Sequence, residues 1–440
     1  MATLRRTEFE SGLRIVTERM PGVRSAALGM WVGAGSRDEH PRVAGSSHFL
    51  EHLLFKGTKT RSARDIADAF DAVGGDINAF TAKEHTCFYA RVLDRDLPMA
   101  VDHLCDMLQN SVIRSADLEA ERRVILEEIN MHEDTPDDLI HDLFNETLWP
   151  EHPLGLPILG TVRSIEGATR EQVRRFYKRH YSPKNLVVAA AGNLRHEQVV
   201  ELVAGSIDAG PIRSQEEPSA FSMREAGEAP SPSGKRLVRR RKTEQAHIVI
   251  GTNGLGRSDP DRFAFGVVNN AIGGGMSSRL FQEVREKRGL VYSVYSYHTM
   301  YSEAGVFAVY AGTTPARAEQ VLGLIRAELT DVARGGLGEE EFERAKGHMK
   351  GSLVLSLEDS AGRMSRLGKS EIVHGEILTV DQTIKRLDAV TLDDARGVAA
   401  RVLSQPMALT VLGPFAKGAF ARAAIPAAEG VAAHHGGSAS

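Results

Sequence analysis

What most constrains this chain is a duplicated pattern with a break in its middle. Between Pro211 and Lys235 the chain carries Pro211, Pro218, Pro230 and Pro232 among Ser, Glu, Gly and Ala, with almost nothing apolar. Such a stretch has no face to bury and reads as an interdomain linker. Similar signals recur on either side of it. The first half holds Ser46-Ser47-His48-Phe49-Leu50-Glu51-His52-Leu53-Leu54-Phe55-Lys56-Gly57, and the second Ser277-Ser278-Arg279-Leu280-Phe281-Gln282-Glu283-Val284-Arg285, ending at Gly289. Each opens on a serine pair able to cap a helix, continues with amphipathic spacing and stops at glycine. A second long helical pattern follows in each half, at 115–132 and 339–355, among strand-like runs at 26–32, 87–92, 186–191, 247–250, 306–310 and 408–412. A length of 440 residues allows two to four domains, and the repetition reduces that to two. The expectation is an α+β chain of two similar domains, each a mainly antiparallel sheet with helices packed on one face. The domains are placed at 1–211 and 236–425, with a linker at 212–235 and an Ala/Gly/Ser/His-rich tail at 426–440 expected to be disordered.

Composition narrows the chemistry. Only Cys87 and Cys105 are present, which excludes a disulfide-framed scaffold and a cysteine-rich zinc module. Any metal is therefore held by histidine and carboxylate. The net charge of −4 gives no electrostatic case for nucleic acid or an anionic membrane. The basic run at Lys235, Arg236 and Arg239 to Lys242 has no aromatic residues beside it for base stacking and reads as a solvated strand edge. No stretch approaches the roughly 20 apolar residues that span a bilayer, and the opening residues lack the apolar core of a signal peptide. The expectation is a soluble, cytoplasmic protein without nucleic-acid or membrane partners.

On a helix, His48, Glu51, His52 and Phe55 share one face, while Phe49, Leu50, Leu53 and Leu54 cover the other. Two imidazoles one turn apart converge and can bind one Zn²⁺. The order His-x-x-Glu-His inverts the commoner zinc-protease motif yet presents the same groups. A catalytic zinc takes three protein ligands and leaves a position open. In the helix at 115–132, Glu121 and Glu128 lie two turns apart on a stripe with Leu118, Val124 and Ile125. Carboxylates on a core-facing stripe are costly unless a cation or hydrogen bonds compensate them. Glu128 is taken as third ligand and Glu121 as a supporting carboxylate. Glu127 lies about 100° round the helix, and geometry alone does not separate it from Glu128.

His48-Phe49-Leu50-Glu51-His52, followed 76 residues after His52 by Glu128 with Glu121 seven before it, resembles the pitrilysin-type inverzincin metallopeptidases. That family includes insulin-degrading enzyme and mitochondrial processing peptidase. The resemblance runs to about residue 415 and is nearest in size and layout to the processing-peptidase-like branch. It implies one zinc per chain on His48, His52 and Glu128, with Glu51 as general base and Glu121 supporting catalysis. It also implies that the segment Asn78, Ala79, Phe80 and Thr81 pairs with extended substrate, and that Arg285 and Tyr292 grip substrate near the scissile bond. The second half shows no second site, because Arg279, Gln282 and Glu283 replace the motif and Lys350 stands where Glu128 would. Full-length members are four-domain clamshells, so a two-domain chain carrying both motifs implies a homodimer with composite sites acting on peptides. The rival reading is a non-catalytic, peptidase-derived structural or chaperone subunit. Loss of a ligand or of Glu51 would mark it, and none is lost.

Overall fold

The computed structural model describes residues 3–208, 210–213, 224 and 226–421. The expected disordered tail at 426–440 lies outside the described residues, as does much of the linker. Among the described residues eleven strands form two sheets. The first half supplies β1 (Thr3–Glu8), β2 (Arg14–Arg19), β3 (Ser25–Val32), β4 (Asp76–Thr81), β5 (Thr86–Leu93) and β6 (Leu186–Gly192), in the order β1-β2-β6-β3-β5-β4. The second supplies β7 (Arg236–Arg240), β8 (Ala246–Gly254), β9 (Val291–Met300), β10 (Gly305–Thr313) and β11 (Ala408–Gly413), in the order β7-β11-β8-β10-β9. Without β1 the two orders are the same, position for position. Each sheet has one parallel pair, β2 with β6 and β7 with β11, and is otherwise antiparallel. In both, the last strand returns after a long helical stretch, the kind of connection a parallel neighbour requires. The fold is the expected α+β duplication.

The helices are α1 (Ser46–Leu54), α2 (Ala63–Asp71), α3 (Leu97–Asn110), α4 (Ser115–Glu133), α5 (Pro136–Leu148), α6 (Val162–Gly167), α7 (Arg170–His180) and α8 (His196–Ser206), then α9 (Arg262–Gly273), α10 (Ala318–Ala333), α11 (Glu339–Leu355), α12 (Ser360–Lys369), α13 (Val380–Asp388) and α14 (Leu392–Leu403). The compact units do not divide at the linker alone. Unit 1 holds the chain up to Thr135 with Glu151–Gly227 and Gly351–Thr383; unit 2 holds Pro136–Pro150, Glu228–Lys350 and the chain from Ile384. α5 therefore joins the second sheet, and α12 the first.

Within unit 1 one sheet face packs Leu28, Met30, Phe88 and Val188 against Phe49, Leu53, Leu104, Ile125 and Val173 of the helices. The opposite face packs Trp31, Val187 and Ala189 against Met364 and Leu367 of α12. α12 comes so close that a Cβ on Gly368 would lie 2.0 Å from Trp31 Nε1. Within unit 2 the face built from Ile248, Val309 and Val411 packs on α9, α10 and α14. α5 covers β11 and β8, where Thr410 Oγ1 donates to Thr147 Oγ1 at 3.2 Å. Helices were expected on one face only; each sheet has an additional helix on the other. Double cover explains why β6, β10 and β11 are buried along their whole length and read as continuous apolar runs. No helix among the described residues is long and apolar enough to cross a membrane.

Candidate metal centre

α1 begins at a backbone turn that needs glycine. Gly45 has φ +91°, and a Cβ there would lie 2.6 Å from the Leu159 carbonyl oxygen. Gly45 has no side chain to cap the helix, and the buried Glu39 carboxylate fills that role, accepting the Gly45 and Ser47 N–H groups at 2.6 Å each. Phe49, Leu50, Leu53 and Leu54 are wholly buried and fix the rotation of the helix. That rotation leaves His48, Glu51 and His52 on one partly buried face. α4 is anchored beside it by Leu118, Ile125 and Ile129. Val124, expected on the same inward stripe, is 43% exposed; it lies on the turn away from the core.

His48, His52 and Glu128 each offer a ligand atom, and these lie within 4.8 Å of one another. His48 Nε2 and His52 Nε2 stand 3.7 and 3.6 Å from Glu128 Oε2. Ligands about 2.1 Å from a tetrahedral zinc sit about 3.4 Å apart, so the spacing fits such an ion with little adjustment. Glu128 Oε2 is buried and has no hydrogen-bond partner, and a cation would satisfy it. Glu127 is exposed and accepts from Asn130 Nδ2 at 3.4 Å. The fold thus separates the two carboxylates that sequence geometry could not. Burial, aided by the neighbouring His52, holds the His48 pKa down at about 4, which keeps the imidazole neutral, the form that binds metal.

Two carboxylates surround this triad. Glu121 Oε2 lies 3.0 Å from His52 Nδ1, and Lys56 Nζ is 2.7 Å from Glu121 Oε1. Glu51 takes no part in the triad; Thr81 Oγ1 donates to its Oε2 at 2.5 Å. Burial raises the Glu51 pKa, with the Thr81 hydrogen bond and His52 opposing and Glu128 adding to the rise. Thr81 therefore holds Glu51, a contact that the substrate-strand reading did not contain. β4, which carries Asn78, Ala79, Phe80 and Thr81, pairs only with β5 and forms the edge of its sheet. Arg285 and Tyr292 lie in unit 2, with the guanidinium 5.6 Å from the Tyr292 ring centroid and 4.7 Å from that of Phe281. Tyr292 is 79% exposed.

The correspondence expected between the two serine-led helices is corrected by strand order. Between β3 and β4 lie α1 and then α2; between β8 and β9 lie α9 and then the short helix Phe281–Glu286. The counterpart of α1 is therefore α9, and the Arg279 segment corresponds to α2. Arg279 instead pairs with Glu341 at 2.6 Å and Asp331 at 2.5 Å. α9 contains neither histidine nor carboxylate, and among the described residues His48, His52 and Glu128 form the one group placed to hold an ion. Sequence reasoning missed Lys56 and Glu39. Lys56 sits four residues beyond His52, and that spacing was the signal for it. Glu39 precedes the helix in an irregular segment and left none.

As a class, this is a duplicated α+β chain whose first half brings together two histidines and a carboxylate that could hold a metal ion, with a second carboxylate, Glu51, outside that set. The chain belongs to peptidase family M16. Residues 14–162 match the family described as Insulinase (Peptidase family M16), and residues 167–349 match the Peptidase M16 inactive domain. It is 51% identical to an uncharacterized zinc protease of Streptomyces coelicolor, over 94% of this chain and 90% of that one. It is 42% identical to the uncharacterized zinc protease YmxG of Bacillus subtilis, over 93% and 98%. A protease from Helicobacter pylori has the same fold, with TM-score 0.84 at 20% identity over 94% of this chain and 100% of that one.

Proposed function

We propose that this chain is a zinc-dependent endopeptidase of the processing-peptidase-like branch, hydrolysing extended or unfolded peptides in a clamshell chamber formed by two copies. One observation carries the reading: three ligand atoms within 4.8 Å of one another, with Glu51 beside them and outside the set. A single zinc on His48, His52 and Glu128 would supply Lewis acidity and a more acidic water. Glu51 accepts the proton of the attacking water and passes it to the leaving amine, a role worth roughly 10²–10⁴ in rate. Thr81 holds Glu51 Oε2, which leaves Oε1 as the oxygen that moves the proton. Glu121 aims His52 and is a positioning residue.

Substrate adds as a strand to the β4 edge at Asn78, Ala79, Phe80 and Thr81, read mainly through its backbone. Arg285 and Tyr292 of the second copy donate to the oxyanion that develops at the scissile carbonyl. Cys87 and Cys105 are both free and buried, as suits a reducing compartment such as the cytoplasm. Mixing tests both the reaction and its sharing between copies. Glu51→Gln chains and Arg285→Ala chains, each zinc-loaded, are expected to lose hydrolysis of a peptide library when assayed alone. Mixed, they regain part of it, because one of the two composite sites in a mixed dimer is intact. Mixed dimers that form yet stay inactive would refute shared sites.

A further inference from the structure

Within unit 1, three helices and two strands end around an apolar cavity that the metal centre does not use. It has a volume of about 310 Å³ and is bounded by Leu108 near the end of α3, Tyr177 in the last turn of α7 with Tyr181 just beyond, and Ile207 just past α8. Its floor is Val32 and Leu186, which pair with each other where β3 ends and β6 begins. With three helices ending at one place, no side chain is left to close the core over these residues. The Tyr177 and Tyr181 rings, 5.3 Å apart, make one wall. Most polar groups of the lining are already engaged between elements: the Tyr177 hydroxyl donates to the Leu108 carbonyl, and Gln109 Nε2 donates to the Ser206 carbonyl at 2.8 Å. Ser182 also lines the cavity, and its Oγ is shielded from solvent without a hydrogen-bond partner.

Size and charge together select a ligand class. The volume is about twice the roughly 150 Å³ that admits benzene, which gives room for a body of about ten to twelve non-hydrogen atoms. The one charged residue in the lining is Lys178, which is exposed and so stands at the mouth. The stretch 170–185 adds Arg174, Arg179 and Lys184 to the same sign of field, and its single acid, Glu171, is paired with Arg175 at 3.1 Å. An apolar body seated in the cavity is therefore matched by an anionic head at its mouth. A carboxylate also supplies the acceptor that the buried Ser182 hydroxyl lacks, and leaving such a group unpaired is costly. We propose that this cavity binds a small amphipathic monocarboxylic acid. Its aryl or alkyl body lies against Tyr177, Tyr181 and Ile207, and its carboxylate accepts from Lys178 Nζ, with Ser182 as the second donor. The site shares no residue with the metal centre or the β4 edge, and it does not rest on the peptidase reading.

The test is calorimetric binding to the zinc-loaded full-length chain in a buffer free of carboxylates. The probes are 4-phenylbutyrate, its uncharged twin 4-phenylbutanamide, and acetate, which keeps the head and lacks the body. Phenylbutyrate is expected to bind roughly 2- to 10-fold more tightly than the amide, the range of one charge-assisted contact at a wet rim. Acetate should bind at least about 100-fold more weakly than phenylbutyrate, because it buries no apolar body. Lys178→Gln should bring the acid-to-amide ratio close to one, whereas an acid that merely coordinates the metal would not respond to it. Ile207→Trp fills the cavity and should remove binding of acid and amide alike. Lys178 is exposed, so its variant remains decisive if Ile207→Trp fails to fold. No binding of phenylbutyrate at millimolar concentration overturns the proposal. So does equal binding of acid and amide, an acid preference that survives Lys178→Gln, or binding that a folded Ile207→Trp leaves unchanged.

Discussion

A histidine that ligates a metal through one ring nitrogen is aimed by whatever holds the other. His52 has such a support: Nδ1 faces Glu121, which is itself held by Lys56. His48 Nδ1 is buried without a hydrogen-bond partner, so its orientation depends on packing alone. The two ligands are thus unequally supported, and Glu121 bears on one of them. Glu121→Gln is expected to weaken zinc binding by about 10- to 100-fold, read by competition with a chelator of known affinity. At saturating zinc, kcat should change much less than that. Unchanged zinc affinity would show that Glu121 serves only to pair with Lys56. His48, Glu51 and His52 were legible because helical spacing reports them directly; Lys56 continues the same stripe one turn on and was missed. Thr81 was legible as part of a strand but not as the residue holding Glu51, because that contact crosses from β4 to α1 and spacing does not encode it.

At the scale of elements, the carrier of the centre is α1, and its start depends on Glu39. Burial raises the Glu39 pKa to about 7, opposed by the hydrogen bonds from Ser47 and Gly45 and by Lys83. A carboxyl whose pKa is raised by folding favours the folded state fully below its unfolded value near 4.5, and this contribution fades as pH rises through the folded value. The shift corresponds to on the order of 3 kcal/mol. Thermal unfolding of the wild type, compared with Glu39→Gln, should therefore lose ground to the variant between pH 5 and pH 8. A difference in Tm that stays flat across that range would show that Glu39 is not titrating there.

Burial helped elements to be read but did not decide it alone, since β2 is buried over five of its six residues and was not among the expected strands. β6, β10 and β11 stood out as apolar runs because helices cover both faces of their sheets. β9 did not, because its tyrosines, serines and histidine line a half-open face. The mispaired repeat has a related cause. A serine pair, an amphipathic run and a stopping glycine describe helix ends in general, whereas equivalence between the halves is carried by strand order. That order emerges only from the paired sheets.

At the scale of the whole molecule, the duplication was visible in the sequence, and the exchange of α5 and α12 between the units was not. Each exchanged helix meets the second face of a sheet whose strands are too apolar to leave open. The requirement is written in the strands, but no local pattern says which helix meets it. The first sheet also holds Arg14 and Glu371, a buried ion pair at 3.2 Å within unit 1. It fixes the segment after α12 to β2, although 357 residues separate the two partners. His48, His52 and Glu128 all lie in unit 1, so the candidate metal centre is built within one unit.

The proposed reaction gives one helix face two separable functions: His48 and His52 would hold the ion with Glu128, and Glu51 would move the proton. Zinc content and peptide hydrolysis measured together on purified Glu51→Gln separate them. The expected result is one zinc per chain, the same as for the wild type, with hydrolysis reduced at least about 100-fold. A variant that keeps its zinc and cleaves at the wild-type rate would contradict it.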